Sequence, residues 1–178
     1  MVHEEIRKQV GDNFLLGIRM SIQEDRGGLS AEDAIRIAQL LEREGAISFL
    51  NCVAGRMDTE LALAENNMPS MTQPLAPFLP LIKEMKSSVS LPVSHAARIT
   101  DGPTARHAIR DGVLDMVATT RTHIADPHIV NKILRGEEDR IRPCFGAFHC
   151  MHKKFIVFIT QHQGVNLSYR QLLNLSSG

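Results

Sequence analysis

Between residues 14 and 136 the chain follows one repeating plan: a short apolar run, a loop with Gly, Asp, Ser or Thr, an amphipathic stretch at helical spacing, then glycine. That alternation predicts consecutive βα units around a parallel sheet. Phe14 to Ser21 (FLLGIRMS) reads as a buried strand. Ser30 then opens a helix with Asp33 three residues on, a variant capping box. Ala34, Ile35, Ile37, Ala38, Leu40 and Leu41 recur along that helix, and Gly45 closes it where a left-handed conformation is cheap. Ile47 to Cys52 (ISFLNC) is the next strand. A long loop through Arg56 and Met68-Pro69 leads to a helix from about Ala76 to Lys86. Leu91 to His95 (LPVSH) is a third strand; Thr100 and Asp101 can cap the helix that Pro103 starts and Gly112 stops. Leu114 to Ala118 (LDMVA) is a fourth, and Asp126-Pro127 reads as an N-cap with proline at the first helical position of a helix closed by Gly136.

Four βα units behind a helix near Glu4 to Val10 make half of an α/β barrel of the TIM (β/α)8 type. The alternative is an open doubly wound sheet. No glycine-rich GxGxxG turn follows any strand, and Gly27-Gly28 alone is too weak to stand for one.

Composition narrows the partners. The 178 residues are 43% hydrophobic and 22% charged with a formal net charge of zero, which suits a globular unit with its own core. No net field draws the chain to nucleic acid or an anionic membrane, and its basic residues are scattered. The opening residues mix charges without an apolar run, so no signal peptide and no membrane span are expected. Three cysteines, an odd number, fit a reducing cytoplasm and leave Cys52, Cys144 and Cys150 as packing residues, free thiols or metal ligands.

Candidate chemistry gathers at the strand ends. Arg19 lies near the end of the first strand, Arg98 follows the third in His95-Ala96-Ala97-Arg98, and Arg121 follows the fourth in Thr119-Thr120-Arg121. Two short loops of small residues, each ending in arginine, suit a phosphate dianion, which needs backbone N–H donors and a fixed cation. The plainer reading pairs these arginines with helix carboxylates or leaves them at the surface. Arg19 resists it, because an unpaired charge inside an apolar strand is costly. His95 reads as a hydrogen-bonded structural group, His123 and His128 as surface groups at the start of the last helix. Asp115 and Asp126 stand isolated in sequence, and no nucleophile–base constellation is visible.

Taken together, GIRMS, GGLSAEDAIRIAQLLEREG, LPVSHAARITD, DMVATTRTHIADPHIVNKI and EEDRIRPCFGAFHC resemble the NADH:flavin oxidoreductase or old yellow enzyme family, in order from about Val2 to Cys150. They are most similar to its trimethylamine dehydrogenase and N-methyl amino acid demethylase branch and to the dienoyl-CoA reductases. The resemblance implies the carboxyl-terminal half of an FMN-binding barrel over residues 1–143, followed by a post-barrel segment over 144–178. It implies hydride transfer through FMN, with NAD(P)H or an amine as electron donor and a small substrate such as an N-methylated amine or an enone. Arg19 matches the arginine against the pyrimidine edge of the flavin, and Ala97-Arg98 and Thr120-Arg121 match the two phosphate loops. The family commonly has glycine where this chain has Ala97, and a Gly-Arg pair where it has Thr120-Arg121.

Cys144 and Cys150 keep the outer positions of a C-x-x-C-x-x-C iron–sulfur motif. Ala147 replaces the middle one, and two thiolates are too few for a four-iron cluster unless His149 or another chain contributes. Residues 153–178 lose the pattern. The barrel strands that cover the flavin ring in relatives have no counterpart here, so the resemblance assigns no catalytic acid or base to this chain, and a fragment not active alone is expected. Two further readings stand beside the oxidoreductase. One is a non-enzymatic half barrel that needs a partner chain or a second copy of itself. The other is a sugar-phosphate isomerase with Asp25 as base.

Overall fold

The computed structural model describes residues 2–24, 27–45, 47–56, 58–59, 62–63, 67–148 and 150. The chain divides into two compact units, Met1–Gly146 and Ala147–Gly178; all elements below belong to the first. Helix α1 (Val2–Val10) precedes four strands, β1 (Gly17–Ser21), β2 (Phe49–Val53), β3 (Val93–His95) and β4 (Met116–Val117), with α2 (Ala31–Glu44), α3 (Leu79–Ser88) and α4 (Gly102–Arg110) in the crossovers. Two short helices, α5 (Arg121–Ala125) and α6 (Ile129–Leu134), and a 3-10 turn at Glu138–Arg140 follow.

The sheet runs β1-β2-β3-β4, every pair parallel. This consecutive order with a helix in each crossover is the arrangement of a partial (β/α) barrel rather than of a doubly wound sheet, whose strand order reverses. No helix among the described residues is long and apolar enough to cross a membrane.

Strand alternation sorts the residues into two faces. Leu50, Cys52, Val93 and His95 are buried, as are Ala34 and Ala38 of α2, Ile82 and Met85 of α3 and Ala108 of α4. The small alanines let the helices approach the sheet, and each fully buried Leu, Ile or Met there contributes about 1.5–3 kcal/mol. On the other face, Arg19, Asn51, Ser94 and Met116 lie in register across all four strands, and both Arg19 and Met116 are exposed. Below them a Cβ on Gly17 would lie 2.2 Å from the tip of the Phe49 ring, so only glycine leaves that ring its place.

Local signals explain most element ends. The Ser30 hydroxyl accepts from Asp33 N at 3.1 Å, a cap contributing about 1 kcal/mol, and Gly45 closes α2 at φ +65°. Asp101 caps α4 through Thr104 N at 2.7 Å, and Gly112 follows that helix at φ +65°.

Three expectations need correction. The first strand begins at Gly17 rather than Phe14, and Phe14 and Leu15 are exposed, because β1 is an edge strand with one open face. Asp126-Pro127 does not start the last helix: His128 holds the N-cap position of α6, and Asp126 closes α5, a short helix the pattern did not signal. Asp126 is not isolated, since its carboxylate accepts from Lys132 Nζ at 2.5 Å, Arg142 N at 3.0 Å and His128 N at 3.1 Å. Nor is Asp115, which accepts from Val93 N at 2.7 Å and pairs with Lys86 at 2.8 Å.

Candidate functional site

The carboxyl ends of β3 and β4 are adjacent because the strands pair Ser94 with Met116 and His95 with Val117. Their loops stay together: Ala118 N donates to His95 O at 2.9 Å, and the buried Thr122 hydroxyl donates to Ile99 O at 3.3 Å. The loop after β3 is bent sharply, with Ala97 at φ +80° and Arg98 at φ +59°. For L-residues this left-handed backbone costs roughly 1–2 kcal/mol each, which gives a physical reason for glycine at the Ala97 position in the resembling family.

The bend leaves donors open. Among the described residues the backbone N–H groups of Ala97, Arg98 and Thr120 meet no protein acceptor. Arg98 Nε is buried without a partner, and Arg98 Nη1 reaches only Phe145 O at 3.5 Å. Arg121 Nη1 donates to Pro69 O at 3.0 Å. Both arginines thus reach chain carbonyls beside a loop rich in unused donors. Such a cluster offers an anion hydrogen bonds and positive charge together.

Arg19 stands apart from these loops on the open face of β1 and is exposed, so the burial cost anticipated for it does not arise here. Beside it runs a polar row that pattern reading missed. Asn51 Nδ2 donates to Ser94 Oγ at 3.0 Å, and both residues share the register of Arg19. The signal was present, since Asn51 and Ser94 each interrupt an apolar run, in ISFLNC and LPVSH.

His95 is on the opposite, helix-covered face. Its Nδ1 lies 2.9 Å from Cys52 O, which can only accept, so Nδ1 carries the proton and Nε2 is left buried without a partner. The Phe78 ring meets it edge-on at 6.3 Å between centroids. Burial pushes the imidazole down to about 4, against the opposing hydrogen bond to Cys52, with nearby Arg19 adding to the depression. A neutral, enclosed ring of this kind organises the strand ends. His123, expected at the surface, is half-buried with Nδ1 at 2.7 Å from Thr119 Oγ1, which steadies the β4 loop. His128 is exposed.

Burial pushes the Cys52 thiol up to about 11, so it is a packing group. Cys144 is half-buried in the first unit and Cys150 half-buried in the second. Among the described residues no three His, Cys, Asp or Glu side chains gather as a metal site. Asp25, His149 and residues 153–178 lie outside the described residues.

Known proteins share this architecture. The sequence pattern of the NADH:flavin oxidoreductase / NADH oxidase family matches residues 1–140. The chain is 51% identical over 149 residues to a multifunctional alkene reductase/demethylase OYE of Caballeronia cordobensis, covering 84% of this chain and 22% of that protein. It is 40% identical over 153 residues to a probable N-methylproline demethylase of Rhizobium meliloti, covering 85% of this chain and 22% of that one. Among solved structures, a 2-naphthoyl-CoA reductase in complex with 2-naphthoyl-CoA superposes with a TM-score of 0.74 at 24% identity, over 83% of this chain and 22% of that one, a likeness of fold. The chain thus spans about a fifth of the length of these relatives. Its parallel half barrel and the match over residues 1–140 place it in the NADH:flavin oxidoreductase / NADH oxidase family.

Proposed function

We propose that this chain is the carboxyl-terminal, phosphate-holding half of an FMN-dependent oxidoreductase barrel, with residues 1–143 forming the half barrel and 144–178 a post-barrel segment. The observation that carries the reading is the set of unused donors at the β3 and β4 ends, namely the N–H groups of Ala97, Arg98 and Thr120 and the orphaned Arg98 Nε. These fit the phosphate end of FMN, which needs several donors and fixed positive charge at one point. Ala97, Arg98, Thr120 and Arg121 would hold that phosphate. Arg19, exposed on the inner face, would stand at the ring, where a cation stabilises negative charge as it develops. When bound, FMN supplies hydride acceptance and donation.

The chain's own residues orient and exclude water. His95, neutral and enclosed, keeps the strand ends in place without offering a proton to the open face. Proton delivery and substrate contacts fall to groups outside the described residues. The relatives point to an N-methylated amine or an activated alkene as substrate, with NAD(P)H as an electron donor. Cys144 and Cys150 are proposed as remnants of a cluster motif rather than a working metal site. The setting we assign is the cytoplasm.

The two outer strands, β1 and β4, have no strand partner on their far sides among the described residues, which favours a partner chain or a second copy completing the barrel. The test is gel filtration after incubation with FMN. The wild-type chain should carry flavin absorbance in its peak, at a mass above one copy, and Arg98→Ala should lose most of it. A folded peak without flavin refutes the cofactor reading, and a monomer that retains flavin refutes the need for a partner.

A further inference from the structure

We propose that the Phe145–Gly146 turn is a strap that fixes the Arg98 guanidinium at the phosphate loop, with Gly146 as the positioning residue that makes the approach possible. The inference rests on the reading of that loop as a phosphate site. Gly146 is buried and holds φ +75°. A Cβ placed on it would lie 2.6 Å from Arg98 Nη1, 3.1 Å from Met71 N and 3.3 Å from Ser70 C. The first of these is closer than side-chain carbons come to any atom, and the guanidinium is the one group there free to swing aside.

Hydrogen bonds hold the strap from both sides. Met71 N donates to Gly146 O at 3.2 Å, and Arg98 Nη1 reaches Phe145 O at 3.5 Å. Upstream, the buried Asp126 carboxylate anchors Arg142 N at 3.0 Å. The Pro69–Met71 segment thereby links the Arg121 loop, through Pro69 O, to the strap, through Met71 N. Arg98 O in turn accepts from Ala76 N at 3.2 Å, so the same β2 loop grips its backbone as well. A long arginine otherwise loses rotamer freedom on binding an anion. Here the turn narrows that freedom beforehand.

The decisive variant is Gly146→Asn. Asparagine tolerates the left-handed backbone but carries the Cβ, so it separates the clash with Arg98 from backbone strain. Phenylglyoxal labelling with peptide mass mapping reads Arg98 without any flavin, using exposed Arg36 as internal reference. Wild-type Arg98 should react more slowly than Arg36, and Gly146→Asn should bring it close to the Arg36 rate. Flavin titration by fluorescence should show FMN affinity falling about tenfold in the variant, the weight of one charge-assisted hydrogen bond, with riboflavin, which lacks the phosphate, unchanged. In an Arg98→Ala background Gly146→Asn should cost FMN nothing further. Equal labelling of Arg98 and Arg36 in the wild type, unchanged labelling in Gly146→Asn, or an undiminished loss in the Arg98→Ala background each overturns the strap. A wild type that binds FMN no better than riboflavin strikes the phosphate reading instead, while the labelling still decides the strap.

Discussion

The two adjacent alanines after β3 should respond to the same substitution with opposite signs. Ala97 sits at φ +80°, whereas Ala96 is not among the left-handed residues. A non-glycine residue in that region costs roughly 1–2 kcal/mol. Glycine removes this cost but adds about 0.5–1 kcal/mol of backbone entropy to the unfolded chain. Ala97→Gly should therefore stabilise the chain by about 0.5–1 kcal/mol, and Ala96→Gly should destabilise it by a similar amount. For a unit of this size that corresponds to shifts of roughly 1–4 °C in Tm in opposite directions. Urea denaturation followed by circular dichroism is the assay, comparing midpoints at unchanged slope. If both variants move the same way, or Ala97→Gly lowers the midpoint, the bend is not where the strain resides and the account of the loop is wrong.

Two ionisable groups give pH-dependent expectations. The hydrogen bond from Lys132, then the Arg142 N–H, hold the buried Asp126 carboxyl well below the usual carboxylate range. A depressed carboxylate stabilises fully above its unfolded value of about 4, and the contribution fades as pH falls below it. Asp126→Asn should lower the urea midpoint at neutral pH, with a gap to wild type that narrows below about pH 4; a gap independent of pH would remove Asp126 from the charge network. His95, pushed down to about 4, stabilises above its unfolded value of about 6.5 and loses that contribution as pH drops toward 4. Nitrogen-15 NMR should find its ring neutral, with the proton on Nδ1, down to about pH 5, and a titration midpoint near 6.5 would mean that the ring is not enclosed as described.

Much of the architecture was legible because its signals are local. Ser30 with Gly45, and Asp101 with Gly112, bracket helices by chemistry confined to a single turn. The β1 start was misjudged because Phe14 and Leu15 look like strand residues in any window, and only the absence of a covering layer on that side exposes them. Asp126-Pro127 misled for the opposite reason: the aspartate carries a cap's chemistry, but its partners Lys132 and Arg142 lie beyond the turn and draw it inward. The arginines were found as residues, while their partners were not. Nothing in the spacing ties Arg121 to Pro69 or Arg98 to Phe145, since those contacts form only once the β2 loop and the post-barrel turn converge. The polar row of Arg19, Asn51 and Ser94 was readable letter by letter, yet it becomes a row only through strand register.

The order of the sheet also bears on how the chain reaches this state. Ile18 pairs near Leu50, Leu50 with Val93 and Ser94 with Met116, so every ladder closes over one intervening βα segment. Each step has a modest loop-closure cost, and the sheet can grow one strand at a time as the polypeptide emerges. Joining the outer strands to anything else is a different kind of event: it is bimolecular when the partner is a separate chain, and its rate then depends on concentration. Slow, dilution-sensitive recovery of flavin binding beside fast recovery of the helical signal would be the kinetic trace of that division.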